Sequence, residues 1–152
     1  MKFELSWKLA LIAAGIGIVG LTLQRSGWLG YAVERGSYGA SVSVAAGCYA
    51  IPSGWTVLPA VATASSVDLR RHFSRHEHAF ASLVDGGDIR ARVLLAPLVG
   101  QREANGYGIH DIGSLTGGTM ARFAAVKDDS TLIVLGQNEE DVRDLVQRLT
   151  GC

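Results

Sequence analysis

The sequence predicts an α+β protein, with an N-terminal single transmembrane helix followed by an antiparallel sheet packed with two helices. Three observations lead there. Leu9–Leu23 carries no charge, is dominated by Leu, Ile, Val, Ala and Gly, and is flanked by Lys8 and Arg25. Several later stretches alternate in the period of two that marks half-buried strands. Two others, 66–78 and the stretch that follows Asn138, carry apolar residues at helical spacing.

The anchor is read from length and edges. Trp7 and Trp28 lie twenty-one residues apart, and a helix between them would run roughly 31 Å, close to the hydrocarbon thickness of a bilayer. Tryptophan favours the membrane interface, so Trp7 and Trp28 are the candidate interface residues. A cleaved signal peptide would need small residues after Leu23, where Gln24 and Arg25 stand instead. Ala45-Ala46-Gly47-Cys48 is similar to the end of a lipobox, but lies 25 residues beyond the apolar run. Lys2 and Lys8 before the span nearly balance Arg25 and Arg35 after it; the short N-terminal tail places the N-terminus in the cytoplasm. The expected location is the bacterial inner membrane, single-pass, with the C-terminal domain extracytoplasmic. The expected division is 1–28 anchor, 29–40 stalk and 41–152 domain, the stalk being flexible because of Gly27, Gly30, Gly36 and Gly39. Residues 36–67 are free of charge. A second span there is the alternative, opposed by Pro52 and Pro59, each of which breaks helical hydrogen bonding.

Within the domain, 41–51 reads as a strand, Pro52-Ser53-Gly54 as a turn and 55–62 as a second strand. Leu69, Phe73, His76 and Phe80 fall on one helical face, which predicts a helix over 66–78. Asp85-Gly86-Gly87-Asp88 predicts a tight hairpin between 82–84 and 89–94. Residues 100–108 read as an exposed loop, and 120–126 with 131–135 as another hairpin. The last helix opens at Asn138, carries Glu139, Glu140 and Asp141 in its first turn, and buries Val142, Leu145, Val146 and Leu149; Gly151 closes it. This order, with Tyr49-Ala50-Ile51-Pro52-Ser53-Gly54-Trp55, resembles that of PsbP-like domains and their "Pro-x-Gly-Trp" turn. The resemblance implies an α/β/α sandwich that serves as an accessory or docking module, and carries over no functional residue.

Composition narrows the function classes. The chain has 152 residues and a formal net charge of zero, which supplies no basic field for nucleic acid. Two cysteines, Cys48 and Cys152, are too few for a multi-cysteine zinc site. They suit one disulfide in an oxidising compartment; the competing reading is a small buried Cys48 with a free Cys152 thiol. The candidate metal ligands are Asp68, His72 and His76, spaced i, i+4, i+8 on the expected helix, with His78 beside them and zinc or copper as the metal. A bland alternative is a polar surface helix. Residue 73 is Phe, so the H-E-x-x-H pattern of metalloproteases is absent. His110 and Asp111 near Ser114 and Thr116 have the residue types of a hydrolase, but neighbours on a strand point to opposite faces, and Ser114 lacks the G-x-S-x-G elbow. The glycine run 113–119 has no Gly-Lys-Ser/Thr, as a P-loop requires. Arg70, Arg71, Arg75, Arg90 and Arg92 would make one positive patch if the expected helix lies beside the hairpin, suited to anionic lipid heads or an acidic partner. The expectation is therefore a membrane-anchored accessory or protein-interaction subunit without catalytic activity or cofactor. Its partners are the lipid bilayer and a protein in or at the membrane. The alternative is a metal-binding or hydrolytic enzyme built on His72 and His76 or on His110.

Overall fold

The computed structural model of the chain describes residues 2–25, 27–58, 65–76, 79–104, 106–117, 121–127 and 131–152, with side chains in the first helix described from Trp7 to Thr22. Two helices come first, α1 (Lys2–Arg25) and α2 (Trp28–Tyr38). A hairpin of β1 (Ser41–Val44) and β2 (Gly47–Ala50) follows, then β3 (Trp55–Leu58), β4 (Ser66–Arg71) and β5 (Phe80–Asp85). Next are α3 (Gly87–Leu95), β6 (Leu98–Val99), β7 (Ile109–Asp111) and the short α4 (Gly113–Thr116). The chain closes with β8 (Phe123–Val126), β9 (Leu132–Gly136), α5 (Glu139–Arg148) and β10 (Thr150–Gly151).

The expected transmembrane helix is overturned. Among the described residues no helix is long and apolar enough to cross a membrane, so the single-pass location, the signal anchor and the anchor part of the fold class fall with it. The reason lies at Gly27. It adopts a left-handed φ of 77°, and the chain restarts as α2 at Trp28. The two tryptophans therefore do not bracket one helix. The uncharged run Leu9–Leu23 alone gives only about 22 Å of helix, short of the roughly 30 Å hydrocarbon core.

The sheets are antiparallel throughout. The larger has seven strands in the order β3-β4-β5-β9-β8-β7-β6, and the smaller is β1-β2-β10. One face of the large sheet carries Trp55, Val57, Leu69, Leu83, Val134 and Ile109. They form the main core with Val142, Leu145, Val146 and Leu149 at the C-terminal helix and with Val42 and Val44 of the small sheet. Every one of the four helix residues is fully buried, as an amphipathic helix on a sheet requires. Gly136 permits the close approach of α5: a Cβ there would stand 2.8 Å from Val142 Cγ2. The opposite face is covered in part by α3, whose Val93 packs with Ile112, Ala124, Val126 and Ile133, and by α2 over β3.

Several expected elements differ. The expected strand 41–51 is a hairpin that turns at Ala45-Ala46. The expected stalk is mostly helix α2, because its polar side chains find partners on the sheet. The expected helix 66–78 is strand β4 followed by a turn: Val67 and Leu69 alternate into the core, and Asp68 and Arg70 face away. The expected hairpin at 85–88 does not form, because β5 pairs with β9 instead. Residues 89–94, rich in the good helix formers Arg, Ala and Leu, belong to α3. Gly151 does not close α5 but pairs with Tyr49 in the small sheet. Residues 59–62 of the expected second strand and 120 of the later hairpin lie outside the described residues.

Candidate functional site

Helix α2 is turned inside out. Tyr31, Glu34 and Arg35, spaced i, i+3, i+4, share one face, and that face meets the sheet. The Tyr31 hydroxyl accepts from Gly54 N at 3.1 Å. Arg35 donates to the carbonyls of Ile51, Pro52 and Trp55 at 2.8, 2.9 and 3.0 Å. Meanwhile Trp28, Leu29 and Val33 are 54, 52 and 59 % exposed, and no residue of the helix is buried. Apolar burial cannot be what holds α2 in place; its polar side does.

The centre of that attachment is Glu34. Thr56 Oγ1, fully buried on β3, donates to Glu34 Oε2 at 2.6 Å. His72 Nε2 lies 3.0 Å from the same oxygen and 2.9 Å from Thr56 Oγ1. The Thr56 hydroxyl has one proton, already given to Glu34, so His72 Nε2 is assigned the N–H that serves both. Arg70 Nη1 pairs with Glu34 Oε1 at 2.6 Å. Burial works to raise the Glu34 carboxyl, but the hydrogen bonds of Thr56 and His72, with the charges of Arg70 and His72, outweigh it and hold the group below its ordinary range. The register explains the convergence: Thr56 sits opposite Arg70 across β3 and β4, on the face under α2. Chemically this is a staple. A nucleophile relay needs the base between an acid on one ring nitrogen and a hydroxyl on the other. Here both contacts use Nε2.

Beside the staple, Phe73 leaves β4 with a left-handed φ of 61°, rare for a bulky side chain. It is 51 % exposed. Its ring centroid lies 5.1 Å from that of Trp28 at a tilt and 5.5 Å from that of Tyr31 edge-on, with His72 at 6.1 Å. A groove of about 800 Å³ opens here, floored by Leu29, Val33 and Phe73 and bordered by Glu34, Arg70 and His76.

The expected metal set is not brought together. Asp68 accepts from Ser82 Oγ at 2.5 Å, His72 belongs to Glu34, and His76 lies 3.9 Å from Glu140. His78 lies outside the described residues. Among the described residues no group of three or more His, Cys, Asp or Glu is placed to hold a metal ion. His110 is buried with Nδ1 3.0 Å from the Ala96 carbonyl, while Asp111 accepts from Gly113 N at 2.9 Å and faces Arg122. Thr116 donates to the Ala121 carbonyl at 2.6 Å. The five arginines sit on different elements: Arg70 pairs with Glu34 of α2, Arg71 pairs with Asp141 of α5, Arg75 is in the turn after β4, and Arg90 and Arg92 ride on α3. Trp28 packs on Phe73, and Trp7 stands exposed on α1. Cys48 and Cys152 are joined in a disulfide with Cα atoms 5.4 Å apart.

Sequence reasoning passed over Glu34, Thr56 and Phe73. The signal for α2 was present as Tyr31, Glu34 and Arg35 at helical spacing, but it runs through polar residues, where no core stripe is sought. Searches of family models, curated proteins and solved structures find no match to the chain.

Proposed function

We infer that the protein is an accessory, protein-interaction subunit that receives an apolar segment of a partner on the outer face of α2 and the Phe73 turn. The observation that carries this reading is the inversion of α2, which spends its polar side on the domain and offers Leu29 and Val33 to the outside, with the half-exposed Trp28 at the flank against Phe73. Exposed apolar side chains of this kind mark interaction sites, and Trp, here at the edge, is among the residues that dominate binding energy. The left-handed Phe73 supports it further: backbone strain on the order of 1–3 kcal/mol is retained where a side chain must be presented.

The test is quantitative affinity capture by the full chain, comparing the wild type with Val33→Asp. Because Val33 is exposed, the variant folds with stability within about 0.5 kcal/mol. Partner recovery falls at least about tenfold, as expected for a charge placed in an apolar contact. Equal recovery by both proteins refutes the reading.

A further inference from the structure

We propose that the segment received on this face is helix α1 of a second copy of the chain, in a reciprocal pair. This rests on the interaction reading above and names its partner.

The chemistry of the groove sets what can fill it. Its floor is apolar, and the ions around it are already paired within the chain. Arg70 holds Glu34 at 2.6 Å and Arg71 holds Asp141 at 2.6 Å. A charged partner would have to displace one of these pairs, and an uncharged one would not. Removing the mate of a buried charge is costly, so the arrangement selects a neutral, apolar occupant long enough to lie along α2, which spans about 16 Å.

The chain itself carries such an element. Leu9–Leu23 has no charge and every described side chain of α1, Trp7–Thr22, is exposed. Ile12, Ile16, Ile18 and Leu21 are 58, 68, 66 and 62 % exposed. A helix apolar all round needs cover. The α1 apolar run, about 22 Å long, can span the whole of α2. Gly27, which lies between α1 and α2, borders the groove. A two-fold pairing then covers one face of α1 and the outer face of α2 in both copies at once, as an isologous contact demands.

In-cell photo-cross-linking of the full chain tests this. Benzoylphenylalanine replaces Val33, and the product is sized and sequenced. The expected result is a covalent dimer whose link maps to residues 7–22, weakened about tenfold or more by Ile12→Asp with Ile16→Asp. The same probe at Leu95, exposed on α3, gives no such dimer. A link from residue 33 to α1 within one chain overturns the proposal. So does a link only to another protein, although that result leaves the interaction reading standing. No adduct at all overturns both, and so does a detergent or lipid adduct alone.

Discussion

Arg71 Nη1 donates to Asp141 Oδ1 at 2.6 Å, joining β4 to α5 through a carboxylate with no solvent exposure. The same carboxyl accepts from Asn138 Nδ2 at 3.1 Å and from Ser74 Oγ at 3.4 Å. Burial alone would lower the Arg71 guanidinium; the Asp141 bond, with the charges of Asp144, Asp141 and Glu140, outweighs it and raises the group above its ordinary value. Because Ser74 follows Phe73, this pair also fixes the turn that presents the aromatic ring. Asp141→Ala should cost about 3 kcal/mol, the low end for breaking a buried pair, since Arg71 keeps Asp144 at 3.6 Å. Urea unfolding reads the loss as a lower midpoint with an unchanged slope.

Acid should release α2. The Glu34 carboxyl is held below its unfolded value of 4.5 in the folded state. Such a group contributes stability that is fully present above the unfolded value and is lost as pH falls through the lower folded value. Protection of the amides across 28–38, taken against the intrinsic exchange rate at each pH, should therefore fall below about pH 4.5, ahead of protection in α5. Glu34→Gln should weaken α2 docking by about 1–2 kcal/mol and flatten that acid response.

The disulfide closes a loop with a sequence separation of 104. It pins β10 to β2, beside the Cys152 N–H that donates to the Cys48 carbonyl at 3.1 Å. Cys152→Ser should lower stability by about 2–4 kcal/mol. Mass spectrometry of protein alkylated without reductant should find neither cysteine labelled, while thermal unfolding with and without reductant should show the shift.

How far the sequence could be read follows from what each element packs against. Helix α5 was legible because its signals are local: Asn138 ahead of three acids, then Val142, Leu145, Val146 and Leu149, all facing one core. The pair β8–β9 was legible because both strands are apolar and adjacent. The stretch 66–71 was misread because Leu69, Phe73, His76 and Phe80 happen to share a helical spacing. The alternation of Val67 and Leu69 with Asp68 and Arg70 was the stronger signal. The stretch 89–94 alternates as well, and nothing nearby says that β5 finds its second partner in β9. The staple was hidden for a different reason: Glu34, Thr56 and His72 come from three elements, and only the register of β3 on β4 brings them under α2. The apolar run before Gly27 looked continuous with Trp28 because one left-handed glycine leaves no mark in hydropathy.

Phe73→Gly separates presentation of the ring from support of the fold, so capture of the partner by this variant is the decisive measurement. Glycine accepts the left-handed φ of 61° without strain, and the lost ring is half exposed. Stability should therefore stay within about 1 kcal/mol of the wild type, against roughly 3–5 kcal/mol for removing a buried Phe. The expected result is a folded, equally stable protein whose partner recovery falls about tenfold or more. Undiminished recovery by that protein would contradict the assignment of this face as the interaction surface.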